Sequence, residues 1–255
     1  MQLTDQQKRS LSPIDAKERL IVALDLPSIE AAEGMVRKLK GVTSFFKIGL
    51  TLQLTASLDR FVKPMIEAGN RVFLDYKYYD VAETIRKAVA QAASTGATFL
   101  TVHGNRRIIE AAVSGRGESD LKILAVTVLT SLDASDIEEM GFSCDVETLV
   151  LHRVQKSLEA GCDGVIASGR EACQIRALAG NNLLIVAPAI RPEGYGTDDQ
   201  KRTATPREAI SAGADYLVVG RPITEQSDPR QAAERILEEM QAAFDDWRAS
   251  QPPLN

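Results

Sequence analysis

With 255 residues, 44% of them apolar and 25% charged, the chain has the composition of a folded globular protein; a formal charge of −5 with interspersed signs argues against a nucleic-acid surface. Chains of this size bury roughly 70–75% of their unfolded surface, so the core requires neither a disulfide nor a structural metal. Cys144, Cys162 and Cys173 are odd in number and lack close metal-type pairing, and no apolar run approaches the roughly 18 residues of a membrane span.

The N-terminal stretch MQLTDQQKRSLSPIDAKERL is polar and lacks the apolar core of a signal peptide, so residues 1–19 are read as an arm on a soluble, cytoplasmic protein. From residue 20, short apolar runs alternate with longer segments of helical period. The runs are 20–25 (LIVALD), 44–48 (SFFKI), 71–75 (RVFLD), 98–103 (TFLTVH), 122–129 (KILAVTVL), 164–167 (GVIA), 183–187 (LLIVA) and 216–220 (YLVVG). Continuous apolar runs of this length predict strands buried on both faces.

The segment after the first strand opens at Ser28, a good N-cap, and ends near Gly41. In the segment 146–161, Val146, Leu149, Val150, Val154 and Leu158 share one helical face, and Gly161 offers a C-terminal stop. A last helix from 228 to about 247 precedes the tail 251–255, QPPLN. Eight strand–helix units in about 230 residues predict a (β/α)₈ barrel, α/β in class, forming one domain over 20–250. A doubly wound open sheet competes, but LDLPSIEAAEG after the first strand holds no Gly-x-Gly-x-x-Gly.

In such a barrel, chemistry collects where strands end at the C-terminal face. Those ends carry Asp25, Lys47, Asp75 with Lys77 and Asp80, His103, Thr130 with Ser131, Ser168, Pro188 with Arg191, and Arg221. The two-residue period puts Lys77 on the same face as Asp75, with Lys47 on the neighbouring strand. Two lysines and two aspartates form a mutually neutralising set, since buried charge is costly unless paired. For a lone Lys–Asp pair a structural salt bridge is the default; four such residues at adjacent strand ends favour function. A fixed aspartate beside a substrate carboxylate disfavours that bound charge, while an ammonium stabilises a developing carbanion and supplies a proton. The array therefore suits metal-free decarboxylation.

Barrels often bind phosphate with the loops after strands seven and eight, where this chain places Arg191 and Gly220-Arg221. Arg presents a planar fork and Gly permits close backbone approach. Between them, EGYGTDDQKRTATP reads as a lid able to close over a phosphorylated ligand. His103 is as well explained by a structural hydrogen bond as by a ribose contact, and His152 is peripheral. Two histidines make a histidine-rich metal site improbable, and Ser168 reads as a turn residue rather than a nucleophile.

Asp-x-Lys-x-x-Asp after the third strand, together with FFKIGL, AVTVLTS, APAIRPEG, DDQKRTATP and VVGRPIT, resembles the orotidine 5′-monophosphate decarboxylase family across nearly the whole chain. The resemblance implies cofactor-free, metal-free decarboxylation of orotidine 5′-monophosphate to uridine 5′-monophosphate, the final step of de novo pyrimidine nucleotide synthesis. It makes Lys47, Asp75, Lys77 and Asp80 the catalytic tetrad, with Lys77 as proton donor to C6 of the pyrimidine. It implies a homodimer in which Asp80, Val81 and Thr84 complete the partner's site, and no nucleic-acid or membrane partner. Asp25 and Lys47 would contact ribose hydroxyls, Thr130 and Pro188 would border the pyrimidine, and Gln200, Arg191, Arg221 and Gly220 would serve the phosphate, with Tyr195 a weaker candidate. Three positions depart from the family pattern: Tyr79 replaces a histidine, Ala82 a proline, and Ala189 a glycine. The alternative is a magnesium-dependent sugar-phosphate decarboxylase or aldolase built on the same barrel; a barrel that binds phosphate without catalysis is a third reading.

Overall fold

The structure, a computed structural model, describes residues 15–55, 58–196 and 199–249; most of the N-terminal arm and the whole tail 251–255 lie outside the described residues. The eight strands are β1 (Leu20–Ala23), β2 (Phe45–Ile48), β3 (Arg71–Tyr78), β4 (Phe99–His103), β5 (Lys122–Val126), β6 (Gly164–Ile166), β7 (Leu184–Ala187) and β8 (Tyr216–Val219). They pair in parallel in chain order and close into a barrel, with Leu20 opposite Leu217 and Val22 opposite Val219 at the β1–β8 seam.

Around the barrel run α1 (Ile29–Lys38), α2 (Leu50–Gln53), α3 (Leu58–Glu67), α4 (Ala82–Ser94), α5 (Arg106–Arg116), α6 (Ala134–Glu139), α7 (Val146–Glu159), α8 (Ala172–Ala179), α9 (Pro206–Ser211), α10 (Arg221–Thr224) and α11 (Pro229–Ala249). The fold is thus a (β/α)₈ barrel, as the alternating pattern predicts. Ser28 caps α1 by accepting from the Ala31 N–H at 3.2 Å. In α7, Leu149, Val150 and Val154 are buried, and Gly161 beyond its end takes φ +71°.

Strand parity divides the apolar residues into two cores. Outward-facing Leu20, Val22, Phe46, Val72, Leu100, Ile123 and Val165 pack with the helices. Inward-facing Ile21, Ala23, Phe45, Phe73, Phe99, Leu124, Val126, Ile166, Val186 and Val218 fill the barrel. An aromatic floor lies at the strand starts. Phe99 meets Phe45 at 5.0 Å, Tyr216 at 5.2 Å and Phe73 at 5.9 Å between ring centroids, and the Arg71 guanidinium covers Phe45 at 4.4 Å. Two steps beyond Phe45, Phe73 and Phe99, the same inward parity brings the polar side chains of Lys47, Asp75 and Thr101 toward the mouth.

Strand ends differ from expectation in places: β1 stops at Ala23 rather than 25 and β5 at Val126 rather than 129. The third strand does not end at Asp75 but continues to Tyr78, with a register shift against β4 between Leu74 and Tyr78. Lys77 takes φ +49° within this irregularity, a conformation that lysine adopts only under constraint.

Candidate active site

The mouth of the barrel encloses a cavity of about 500 Å³, a size suited to a small-molecule ligand. Asp25, Lys47, Asp75, Lys77, Thr130, Pro188, Arg191, Gln200, Gly220 and Arg221 all line it, joined by apolar Phe73, Val126, Ile166 and Val218 from the barrel interior.

One wall is a chain of alternating charges. Lys47 Nζ donates to both oxygens of Asp25 at 3.1 Å and lies 3.2 Å from Asp75 Oδ2; Lys77 Nζ approaches the same Oδ2 at 2.8 Å. The other oxygen of Asp75 accepts from the Thr101 hydroxyl at 2.9 Å, and Thr101 Oγ1 in turn accepts from the Lys77 backbone N–H at 2.9 Å. Thr101 is fully buried on β4 and thus fixes both the aspartate and the unusual turn of chain at Lys77. Sequence reasoning missed it. The available signal was its inward parity, two residues from Phe99 and two from His103.

Burial alone would lower the Lys47 ammonium pKa, but Asp75 and Asp25 outweigh it and hold the group above its ordinary value. Burial would likewise raise Asp75, yet Lys47 and Lys77 prevail and keep its carboxyl below the ordinary range. The lysine and the aspartate are therefore both charged at neutral pH. Gly49 makes room for the first pair, since a Cβ there would meet Asp25 Oδ1 at 2.7 Å and Lys47 Nζ at 3.2 Å.

The other wall comes from β7, β8 and the loop between them. Arg191 is buried just after β7, and its guanidinium stands 5.6 Å from the Tyr195 ring centroid. Arg221 opens α10 and pairs with Asp199 of the loop. Thr130 Oγ1 donates to Gln200 Oε1 at 2.5 Å, joining the end of β5 to the loop. The two stems of the loop meet in an Ile190–Ala204 bridge, with the Arg191 N–H donating to Ala204 O at 2.9 Å.

The returning stem is anchored in the protein interior. Arg202 pairs with buried Glu171 and donates through Nη2 to the Val128 and Leu129 carbonyls, each at 2.9 Å. Ser168 Oγ donates to Arg202 O at 2.9 Å, so this serine holds the stem. On the surface, Lys201 bridges Asp133 at 2.7 Å and Asp136 at 2.9 Å, the two partners of the α6 capping box.

Three expected site residues are not brought to this cavity by their own chain. Asp80, Val81 and Thr84 are exposed at the start of α4, and Asp80 Oδ1 accepts from the Val81 N–H at 2.6 Å. His103 does not line the cavity either; its ring packs against Tyr79 at 4.8 Å. Burial, helped by Arg153 and Lys77, lowers its pKa and favours the neutral imidazole. Ala189, the residue in place of glycine, takes φ +58°, which accounts for the glycine preference there. Cys144, Cys162 and Cys173 are free thiols, and burial pushes Cys162 up to about 12. Among the described residues no cluster of three or more His, Cys, Asp or Glu is arranged to hold a metal, and no helix is long and apolar enough to cross a membrane.

A closed (β/α)₈ barrel with Lys47, Asp75 and Lys77 in mutual contact and two arginines, Arg191 and Arg221, at its C-terminal mouth has the architecture of a barrel enzyme. Residues 18–236 match the family model described as orotidine 5′-phosphate decarboxylase / HUMPS family, and the chain belongs to that family. It is 56% identical over 229 residues to an orotidine 5′-phosphate decarboxylase of Nitrobacter winogradskyi, covering 90% of this chain and 95% of that one. A Rhodopseudomonas palustris protein of the same name is 46% identical, covering 91% and 99% respectively. Among solved structures, orotidine 5′-phosphate decarboxylase from Lactobacillus acidophilus superposes with a TM-score of 0.77 at 34% identity, covering 88% of this chain and 99% of that one.

Proposed function

We propose that this chain is a carboxy-lyase that converts orotidine 5′-monophosphate to uridine 5′-monophosphate and CO₂, the final step of de novo pyrimidine nucleotide synthesis, without metal or cofactor. The observation that carries the reading is Lys77 Nζ held 2.8 Å from Asp75 Oδ2 at the cavity wall, with Lys47 on the same oxygen at 3.2 Å. A substrate carboxylate placed against Asp75 meets a fixed negative charge, which disfavours the ground state. As the bond from C6 to the carboxylate breaks, its electron pair stays on C6 and CO₂ departs. The Lys77 ammonium stabilises that charge and then delivers its proton to C6.

Asp25 and Lys47 bind the ribose hydroxyls, Thr130 and Pro188 border the pyrimidine, and Arg191, Gln200, Gly220 and Arg221 hold the phosphate. Binding energy gained at the phosphate draws the lid down and lowers the barrier at the distant carboxylate. The enzyme works in the cytoplasm as a homodimer, in which Asp80, Val81 and Thr84 serve the partner's site. Their exposure at the start of α4, with Val81 69% exposed, supports this assignment.

The magnesium-dependent sugar-phosphate reading is less well supported, because the Asp75 oxygens already serve Lys47, Lys77 and Thr101. The test is the loss of orotidine 5′-monophosphate absorbance in EDTA, with wild type beside Asp75→Asn. Rapid conversion by the wild type, lost in the variant, is expected. Failure to convert in EDTA, with turnover of a sugar phosphate once magnesium is added, transfers the assignment to the sister chemistry.

A further inference from the structure

Asp199 stands directly on two of the groups assigned to the phosphate, and its role rests on that assignment. Its Oδ1 accepts from Arg221 Nη2, and its Oδ2 accepts from Gln200 Nε2 at 3.0 Å. The Gln200 amide is fixed from its other end, where Oε1 accepts from Thr130 Oγ1 at 2.5 Å. One carboxylate thus spans the donors of two of the polar side chains that a phosphate would use. Carboxylate and phosphate oxygens suit the same guanidinium and amide donors, so the two anions compete for one place.

We propose that Asp199 is an internal counter-ion, seated across Arg221 and Gln200, which an incoming phosphate monoester must displace and which therefore sets how tightly phosphorylated ligands bind. A phosphate monoester carries close to two negative charges and outcompetes a single carboxylate, whereas a weak monoanion does not. Asp199 thereby screens the basic wall against adventitious anions and reserves it for ligands with a dianionic end. Once displaced, the carboxylate has solvent to enter, since its side chain is already 64% exposed. The same exposure bounds the effect, because exposed ion pairs are worth only about a two- to fivefold change in affinity.

The opposite role is also physically coherent: Asp199 would orient Arg221 and so assist phosphate binding. The two roles predict opposite signs. Calorimetric titration of uridine 5′-monophosphate, inorganic phosphate and uridine into the full chain distinguishes them, using wild type, Asp199→Asn, Asp199→Ala and Arg221→Ala. Both Asp199 variants are expected to bind uridine 5′-monophosphate and inorganic phosphate about two- to fivefold more tightly, with uridine unchanged. Unaltered or weaker binding of the phosphorylated ligands in both variants, while Arg221→Ala loses affinity, overturns the counter-ion role and leaves the phosphate assignment intact. If wild type binds the nucleotide no better than uridine, and Arg221→Ala changes nothing, the phosphate assignment itself falls, and the inference with it.

Discussion

Thr101 shows how a single hydroxyl carries two duties at the residue scale. It donates to Asp75 and accepts from the Lys77 N–H, so it orients the carboxylate and supports a backbone turn that lysine disfavours. Thr101→Val keeps the volume but leaves a buried carboxylate oxygen and an N–H without that partner. The expected result is a fall in kcat of about tenfold to a hundredfold with KM little changed, since Thr101 does not line the cavity. Thr101→Ser, which keeps the hydroxyl, is expected to recover most of the rate; equal loss in both variants would point to packing instead. Lys47, Asp75 and Lys77 were legible in the sequence because charges at the ends of apolar strands have few bland explanations. Thr101 was not, because a threonine inside a β-branched run reads as an ordinary strand residue. Asp199 was hidden for a different reason: its partners lie 22 residues away at Arg221 and next door at Gln200, a juxtaposition that spacing does not reveal.

The loop between β7 and β8 is the informative element. Its returning stem is tied to two other βα loops, through Glu171 and Ser168 after β6 and Val128 to Thr130 after β5, and to its own outgoing stem at Arg191. Arg202 is the centre of that knot. Burial pushes the Glu171 carboxyl up even with Arg202 beside it, so removing the arginine leaves a costly group behind. Arg202→Ala is expected to lower stability by about 3–5 kcal/mol, read by urea denaturation. The paired replacement Arg202→Met with Glu171→Leu should restore most of that stability while KM stays raised, because the stem has lost its carbonyl contacts. A double variant with normal KM would show that the knot supports only the fold. The loop's place between strands seven and eight was legible from its polar, glycine-containing composition. Its anchoring was not, since the Ile190–Ala204 bridge and the Arg202 contacts depend on barrel closure. The extra length of β3 was hidden as well, because a bulge carries no fixed residue signature when lysine occupies it.

Over the whole molecule, the barrel was legible because its strands are buried on both faces and its helices carry one apolar stripe. Several carboxylates are held below their ordinary values, among them Asp75 in the interior by its two lysines, and on the surface Glu83, at about 2, by Arg86 and Lys87. A depressed folded value means that the unfolded chain binds the proton more readily. That stabilisation is present above about pH 4 and is lost as pH falls through the folded values. Glu171, raised by burial, works in the opposite direction. The urea midpoint is expected to stay level from about pH 7 to 8, to ease downward below about pH 6.5 as the unfolded chain takes up the proton that folded His103 resists, and to drop below about pH 4. A midpoint that rises on acidification would show that the Glu171 penalty dominates. The aromatic floor has a consequence for traffic. With Phe45, Phe73, Phe99 and Tyr216 plugging the strand starts, the barrel is a vessel with one opening. Whatever enters over the charged wall must leave the same way, so a gas and the heavier product behind it share one door, with the loop between β7 and β8 standing beside it.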